Sequence, residues 1–278
     1  MGVAVLALLG AASWGIGDFL GGVAARRIHV LTVLVGSQAA GLVGAALWVL
    51  ASADSPPGIE DLLPAIGAGA CGAIGLAALY RGMAVGAMGI VAPISAASPV
   101  IPLAVDLVGG TSPSALQWVG IVIVLGGIVL LAREPGGTGS AALAAGVGLA
   151  VVAAVAFGLF VVGLDAAADG GVPWTILAVR STSTLLALVL AVSAAVAILP
   201  PARLLPTILA VGVFDTAANV LVAFATTRGS AGIVAVLSAL YPVATIILAR
   251  VLLGERLDGT RRAGGALALG GAAAVAAG

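Results

Sequence analysis

The ionisable side chains of Asp18, Arg180 and Asp215 lie inside long apolar stretches of this sequence, away from the ends of those stretches. A charged group at the centre of a bilayer costs about 2.5–3.5 kcal/mol on insertion scales, so each of these residues is a candidate site residue. A carboxylate in a low-dielectric cavity can bind a proton or a cation, and a guanidinium can bind a carboxylate. The positions therefore predict a site for a small polar molecule inside an apolar environment.

Asp18 lies one helical turn after Trp14, so the two side chains share one face of a helix. An aromatic ring and a carboxylate on one face are suited to a cavity wall. The structural alternative is that Asp18 reaches the polar interface or pairs with Arg26 and Arg27. We expect Trp14 and Asp18 to bind substrate and Asp18 to be a candidate for proton coupling.

Asp215 and Asn219 form a second polar stripe, one turn apart, near the middle of another apolar segment. Arg180 could neutralise Asp215 or anchor a substrate carboxylate. The structural alternatives are interhelical hydrogen bonds for Asp215 and Asn219, and snorkelling of Arg180 to the interface. We expect all three to bind substrate and Asp215 to be the second candidate for proton coupling.

A duplicated segment organises the chain. Residues 89–100 read GIVAPISAASPV and residues 232–243 read GIVAVLSALYPV, an offset of 143 positions. The same offset pairs Trp14 and Gly15 with Phe157 and Gly158, so the duplication runs through both halves. Such a repeat indicates two copies of one structural unit.

The duplicated segment also carries hydroxyl groups at matching positions. The candidate substrate-binding residues are Ser95 and Ser98 in the first copy and Ser238 and Tyr241 in the second. Each pair is spaced i, i+3 and shares one helix face. Pro99 and Pro242, also at matching positions, remove a backbone donor, which predicts either carbonyls exposed to a cavity or a plain kink.

The composition is typical of an integral membrane protein. The chain is 62% hydrophobic and 8% charged, and its mean hydropathy is +1.28, far from the averages of soluble domains. A net charge of zero without a basic cluster argues against a nucleic-acid partner. One cysteine and one histidine provide neither an intrachain disulfide nor a Cys-rich or His-rich metal site, and no cofactor is expected.

Ten apolar stretches approach the roughly 20 residues that a spanning helix needs. They cover residues 3–24, 31–51, 62–80, 90–108, 115–132, 143–166, 174–199, 204–225, 232–253 and 263–277. The duplication divides the chain into a five-helix repeat at 1–132, a linker at 133–140 and a second five-helix repeat at 141–278. Because five is odd, the second repeat enters the membrane from the opposite side. The predicted fold class is therefore an all-α integral membrane protein of two inverted five-helix repeats.

Arginine placement predicts the orientation in the membrane. The connections after odd-numbered spans hold Arg26, Arg27, Arg81, Arg133, Arg203, Arg256, Arg261 and Arg262. The other side holds Arg228 alone. The positive-inside rule then places the odd connections in the cytoplasm and both termini outside.

The ten spans in two copies, the repeated GIVA segment and the LLGERL sequence at 252–257 resemble the EamA-type branch of the drug/metabolite transporter superfamily. The resemblance implies a basket of ten helices around a central cavity lined chiefly by the first, third and fourth helices of each copy. It implies peripheral last helices, which would be the surfaces for a homodimer. The sequence departs from the pattern at residues 109–110, which are Gly-Gly where the second copy has Gly-Glu. Many family members have cytoplasmic termini, opposite to the arginine count.

The resemblance and the intramembrane charges together predict a bacterial plasma-membrane protein that exports a small organic metabolite, amino-acid-like, by alternating access with proton coupling. Sugar uptake is the alternative, favoured if Gln38, Asn219 and the Ser and Thr groups line the pocket while the acids face away. A structural membrane protein is a further alternative. An enzyme is not expected, because the sequence lacks a recognisable catalytic constellation.

Overall fold

The computed structural model describes residues 2–25, 27–52, 54–85, 94–132, 140–253 and 259–278. Within these ranges the regular secondary structure is helical, with no β-strand. The α-helices are α1 (Val3–Ala25), α2 (Val30–Ser52), α3 (Ile59–Val85), α4 (Val100–Val108), α5 (Ala115–Ala132), α6 (Ser140–Ala168), α7 (Val172–Ser193), α8 (Leu205–Thr226), α9 (Ala231–Ser238), α10 (Tyr241–Leu253) and α11 (Gly259–Ala277). Helices satisfy their own backbone hydrogen bonds, as a bilayer requires.

Six described segments are long and apolar enough to cross a membrane. They are Val3–Ala25, Val30–Ser52, Ile59–Leu79, Gly146–Ala168, Val172–Ser193 and Ala202–Thr226. The other four predicted spans are represented by shorter apolar helices, or, at 90–108, by a described part that begins at residue 94. The structure is therefore an all-helical bundle with six clear apolar spans.

The predicted ninth span is not one continuous helix. Residues 232–253 are divided between α9 and α10 by a turn at Ala239 and Leu240. The cause is Pro242, which has no N–H and whose ring would clash with the Ser238 carbonyl in a continuous helix. The first copy has a turn at residues 96–99 before α4, and Pro99 occupies the position that matches Pro242. Both copies are interrupted at the same point of the repeat.

The principal helix pairs join one copy to the other. The largest contacts are between α3 and α6, α5 and α11, α1 and α8, and α2 and α7. The pair of α1 and α8 runs antiparallel, since Gly10 lies against Val222 and Gly21 lies against Val211. The pair of α3 and α6 is also antiparallel, since Gly75 lies against Phe157 and Gly163 lies against Ala68. Each repeat thus completes its packing with the other repeat.

The same close crossing of helices occurs twice. A Cβ atom on Gly15 would lie 2.5 Å from the carbonyl oxygen of Tyr241, where α1 crosses α10. A Cβ atom on Gly158 would lie 2.7 Å from the carbonyl oxygen of Ser98, at the crossing before α4. Both glycines and both contact residues are related by the 143-residue offset. Small residues at such crossings let two backbones approach closely.

The two ends of the bundle differ in charge. One end, here called the acidic end, carries Asp54, Glu60, Asp61, Asp106, Asp165 and Asp169. Contacts join these residues: Trp174 Nε1 donates to the Asp54 carbonyl at 3.2 Å, Asp61 lies against Gly170, and Asp165 interacts electrostatically with Asp106 and Asp169. The opposite end, here called the arginine end, carries Arg27, Arg81, Arg203 and Arg262.

Candidate functional site

A cavity of about 130 Å³ lies between the two copies. Its wall extends towards the arginine end, since it includes Asp18 late in α1, Gln38 early in α2, Leu79 late in α3 and Leu190 late in α7. A buried water needs roughly 10–15 Å³ by the same kind of measure, so the cavity has room for a small organic molecule. Most of the wall is apolar, with a small number of polar groups, as is usual for ligand sites.

The structure brings seven of the nine predicted site residues to this cavity. They are Trp14, Asp18, Arg180, Asp215, Asn219, Ser238 and Tyr241. Ser95 and Ser98 do not line it. The Ser95 side chain is buried, with its hydroxyl 3.5 Å from the Ala150 carbonyl oxygen, and the Ser98 backbone packs on Gly158.

Arg180 and Asp215 form an ion pair, with Arg180 Nη1 donating to Asp215 Oδ2 at 2.5 Å. The Arg180 side chain is 2% exposed and the Asp215 side chain is 22% exposed. Arg180 therefore does not snorkel to the interface. A buried charge is strongly unfavourable without a partner, so Asp215 is what allows the guanidinium to remain inside the bundle.

Gln38 and Ser183 complete the surroundings of this ion pair. Neither was among the predicted site residues, and the sequence offered Gln38 only as a group that would favour sugar uptake. Arg180 Nη1 also donates to Gln38 Oε1 at 2.7 Å, and Gln38 Nε2 donates to Asp215 Oδ2 at 3.2 Å. Ser183 Oγ donates to Gln38 Oε1 at 2.8 Å. The sequence signal for Ser183 was its i, i+3 spacing from Arg180. The amide of Gln38 bridges both charges and holds them in one geometry.

Trp14 connects the first repeat to the same network. Its indole Nε1–H donates to Asp215 Oδ1 and to Asn219 Oδ1, each at 3.1 Å. Its ring also packs on Phe160, with the centroids 6.3 Å apart and the planes tilted by 60°. Asp215 thus accepts hydrogen bonds from an arginine, an amide and an indole.

Asp18 has different surroundings. It is half-buried in the cavity wall and makes no hydrogen bond or ion pair with the part of the chain that the structure describes. Asp215 and Tyr241 are close enough to interact with it electrostatically. Of the described residues that line the cavity, Asp18, Arg180 and Asp215 are the charged ones. The lining carries one excess negative charge when both carboxylates are ionised.

Several buried polar atoms of the second repeat have no hydrogen-bond partner among the described residues. They are Arg180 Nε and Nη2, Thr184 Oγ1, Thr216 Oγ1 and Ser238 Oγ. The stem of Arg180 passes close to Gly41, where a Cβ atom would lie 3.3 Å from Nε. The edge of the guanidinium formed by Nε and Nη2 is therefore enclosed by the bundle. The described residues contain no cluster of three side chains that could hold a metal ion.

Comparison with known proteins shows the family of this chain. The profile of the EamA-like transporter family matches residues 1–133 and again residues 144–277. The chain belongs to this family, whose members are membrane transporters of the drug/metabolite transporter superfamily. A solved structure described only as "Crystal structure of protein" aligns with a TM-score of 0.81 and 17% identity, covering 98% of this chain and 95% of that chain. At this identity the likeness shows a shared fold. No curated protein sequence matches the chain.

Proposed function

We propose that this protein is a ten-span secondary transporter that exports a small amino-acid-like metabolite from the bacterial cytoplasm in exchange for protons. It works by alternating access between two inverted five-helix repeats. The observation that carries the proposal is the cavity between the repeats, in which the carboxylate of Asp18 has no partner among the described residues and lies beside the ion pair of Arg180 and Asp215.

The helix lengths support ten spans. Residues 231–253, which hold α9 and α10, would reach about 34 Å at 1.5 Å per residue, against a hydrocarbon core of about 30 Å. An interrupted helix at membrane depth is tolerated where it lines a cavity. Discontinuous helices at the interface of inverted repeats are common in transporters. The antiparallel pairs between repeats fit the inverted arrangement.

The charge difference between the two ends supports an orientation. Under the positive-inside rule the arginine end faces the cytoplasm. The cavity then extends towards the cytoplasm and both termini lie outside. The outward direction of transport rests on the family resemblance rather than on any contact. Cysteine labelling of intact cells at a residue added after Gly278, in a Cys71→Ala background, tests this orientation.

The two carboxylates have separate roles. Asp215 holds Arg180 in place and accepts hydrogen bonds from three kinds of donor, so it positions the site. Asp18 is free to bind either a proton or the ammonium group of the metabolite. Because one carboxylate serves both ligands, binding of one displaces the other. This competition couples outward movement of substrate to inward movement of a proton.

The test uses purified protein in proteoliposomes with a panel of labelled amino acids, sugars and organic amines. Transport driven by an imposed proton gradient is expected for wild type and for Asp169→Asn, an exposed acid outside the cavity. Asp18→Asn is expected to lose the dependence on the gradient. If Asp18→Asn and Asp215→Asn both keep the wild-type pH dependence, proton coupling through this cavity is wrong.

Facilitated sugar uptake is the second candidate. Gln38, Asn219 and Ser238 line the cavity and could bind hydroxyl groups. Sugar uptake was expected only if the acidic side chains faced away from the pocket. Asp18 and Asp215 instead line the cavity. Counterflow of a hexose that is independent of pH and unaffected by Asp18→Asn would support this candidate over the first.

A further inference from the structure

We propose that the cavity selects substrates by positive charge, with Asp18 as the specificity-determining residue, and that it takes small organic amines or amino-acid amides in preference to zwitterionic amino acids. This inference rests on the proposed transport function and narrows its substrate class. It combines two observations, an unpartnered carboxylate in the wall and a guanidinium whose remaining donors are enclosed.

The first step is the unbalanced charge at Asp18. In the described part of the chain no basic side chain or donor neutralises this carboxylate, although it lines an otherwise apolar cavity. An ionised carboxylate in such surroundings is costly unless a cation joins it. Asp215 is nearby and adds to the negative potential instead of reducing it. A proton or an ammonium group can therefore bind at the Asp18 carboxylate.

The second step is that no cation remains for a substrate carboxylate. Arg180 is the one basic residue among the described residues of the wall. Its Nη1 is already bonded to Asp215 and Gln38, while its Nε and Nη2 are buried with almost no accessible surface. A carboxylate entering the cavity would meet Asp18 and Asp215 without a free counter-ion. In a zwitterionic ligand, the repulsion between its carboxylate and these two aspartates would therefore offset the attraction of its ammonium group.

The third step concerns the body of the ligand. Trp14, Phe157, Phe160 and Tyr241 line the cavity together with aliphatic side chains. Aromatic faces attract cations, and apolar walls favour an apolar ligand body. The chemistry that fits is an ammonium group on a small apolar or aromatic skeleton.

The experiment compares ligands that differ by the carboxylate alone. Phenylethylamine is compared with phenylalanine, and 2-phenylethanol serves as the uncharged analogue. Binding to the full-length protein in detergent is measured by calorimetry, and counterflow is measured in proteoliposomes. We expect the amine to bind at least roughly tenfold more tightly than the amino acid and the alcohol.

Variants test whether Asp18 is responsible. Asp18→Asn is expected to weaken amine binding roughly 30-fold or more, as for loss of one partner of a buried charge pair. Asp18→Glu should restore part of the preference for the amine, and Asp169→Asn should bind as wild type does. Gel filtration and circular dichroism establish that each variant is folded.

The outcomes separate this inference from the transport function. Counterflow of phenylalanine at least as good as that of the amine would overturn the selectivity while leaving a transporter. Amine binding that Asp18→Asn does not change would overturn the role of Asp18. Absence of binding and counterflow for every compound in the wider panel of amino acids, sugars and amines, by folded protein, would overturn both proposals.

Discussion

The two copies of the duplicated segment have the same backbone break but different surroundings. In the second copy Ser238 and Tyr241 line the cavity. In the first copy Ser95 and Ser98 occupy the matching positions and pack near α6 instead. Equivalent positions in a pseudo-symmetric fold therefore need not have equivalent surroundings. The helix packing is similar in the two copies, whereas their contributions to the cavity lining differ.

The charged residues show the same difference. The second repeat contributes Arg180 and Asp215, which neutralise each other, whereas the first contributes Asp18, which has no partner among the described residues. A satisfied pair mainly holds a structure together. An unsatisfied charge is available for a ligand. This contrast leads to four predictions.

The largest expected effect is on the ion pair. Asp215→Asn leaves Arg180 buried without a counter-ion, which should reduce the free energy of unfolding by about 3–5 kcal/mol. Asp18→Asn removes no partner and should leave stability unchanged or slightly raised. Denaturant unfolding in mixed micelles measures both. The double variant Arg180→Met/Asp215→Leu should recover stability but not transport. If Asp18→Asn destabilised the protein as much as Asp215→Asn, the contrast between an unpaired and a paired carboxylate would be contradicted.

A second prediction concerns the acidic end, where Asp106 of the first repeat joins the second. Asp106 Oδ2 accepts hydrogen bonds from Ser230 Oγ at 2.5 Å and from the Gly232 amide at 2.7 Å. Asp106→Ala should cost about 1.5–3 kcal/mol, because hydrogen bonds to a charged group are lost at the start of α9. Residue 249, which matches Asp106 in the second repeat, is already alanine. Thermal unfolding measures the loss, and Glu60→Ala is the control at an exposed acid. Equal losses of stability in the two variants would refute a specific role for Asp106.

A third prediction compares the two glycine crossings. Alanine at Gly15 or at Gly158 would place a Cβ atom against a backbone carbonyl, and overpacking of this kind costs about 1–3 kcal/mol. We expect similar losses of stability in both variants. Only Gly15→Ala should also slow transport, because it displaces Tyr241 at the cavity. Unfolding curves combined with counterflow rates check this, and equal rates would show that the crossings are functionally equivalent.

The smallest expected effect is on the matched serines. Ser238 lines the cavity, and its Oγ is buried without a hydrogen-bond partner among the described residues. If substrate or water uses this hydroxyl, Ser238→Ala should change the KM for transport by about 1 kcal/mol, or roughly fivefold. Ser95→Ala should leave KM unchanged. Transport kinetics on the two variants decide the question, and a KM effect of Ser95→Ala would extend the site to the first copy.

The sequence by itself determined the class of fold. Long apolar runs predict spanning helices because backbone groups in lipid must be satisfied within the segment. The 143-residue offset established the duplication, and the family match at 1–133 and 144–277 confirms the EamA-type resemblance. It also indicated which residues were unusual, since Asp18, Arg180 and Asp215 stand out in an apolar background.

Only the tertiary structure decided which neighbours those residues contact. A helix that is apolar on every side has no amphipathic pattern to indicate which face meets a neighbour. The sequence therefore could not distinguish Ser238, at the cavity, from Ser95, which lies outside it. It also could not show that Gln38 and Ser183 join Arg180 and Asp215 across three helices. Whether a carboxylate is paired depends on the packing between helices, and that packing leaves Asp18 without a hydrogen-bond or ion-pair partner among the described residues.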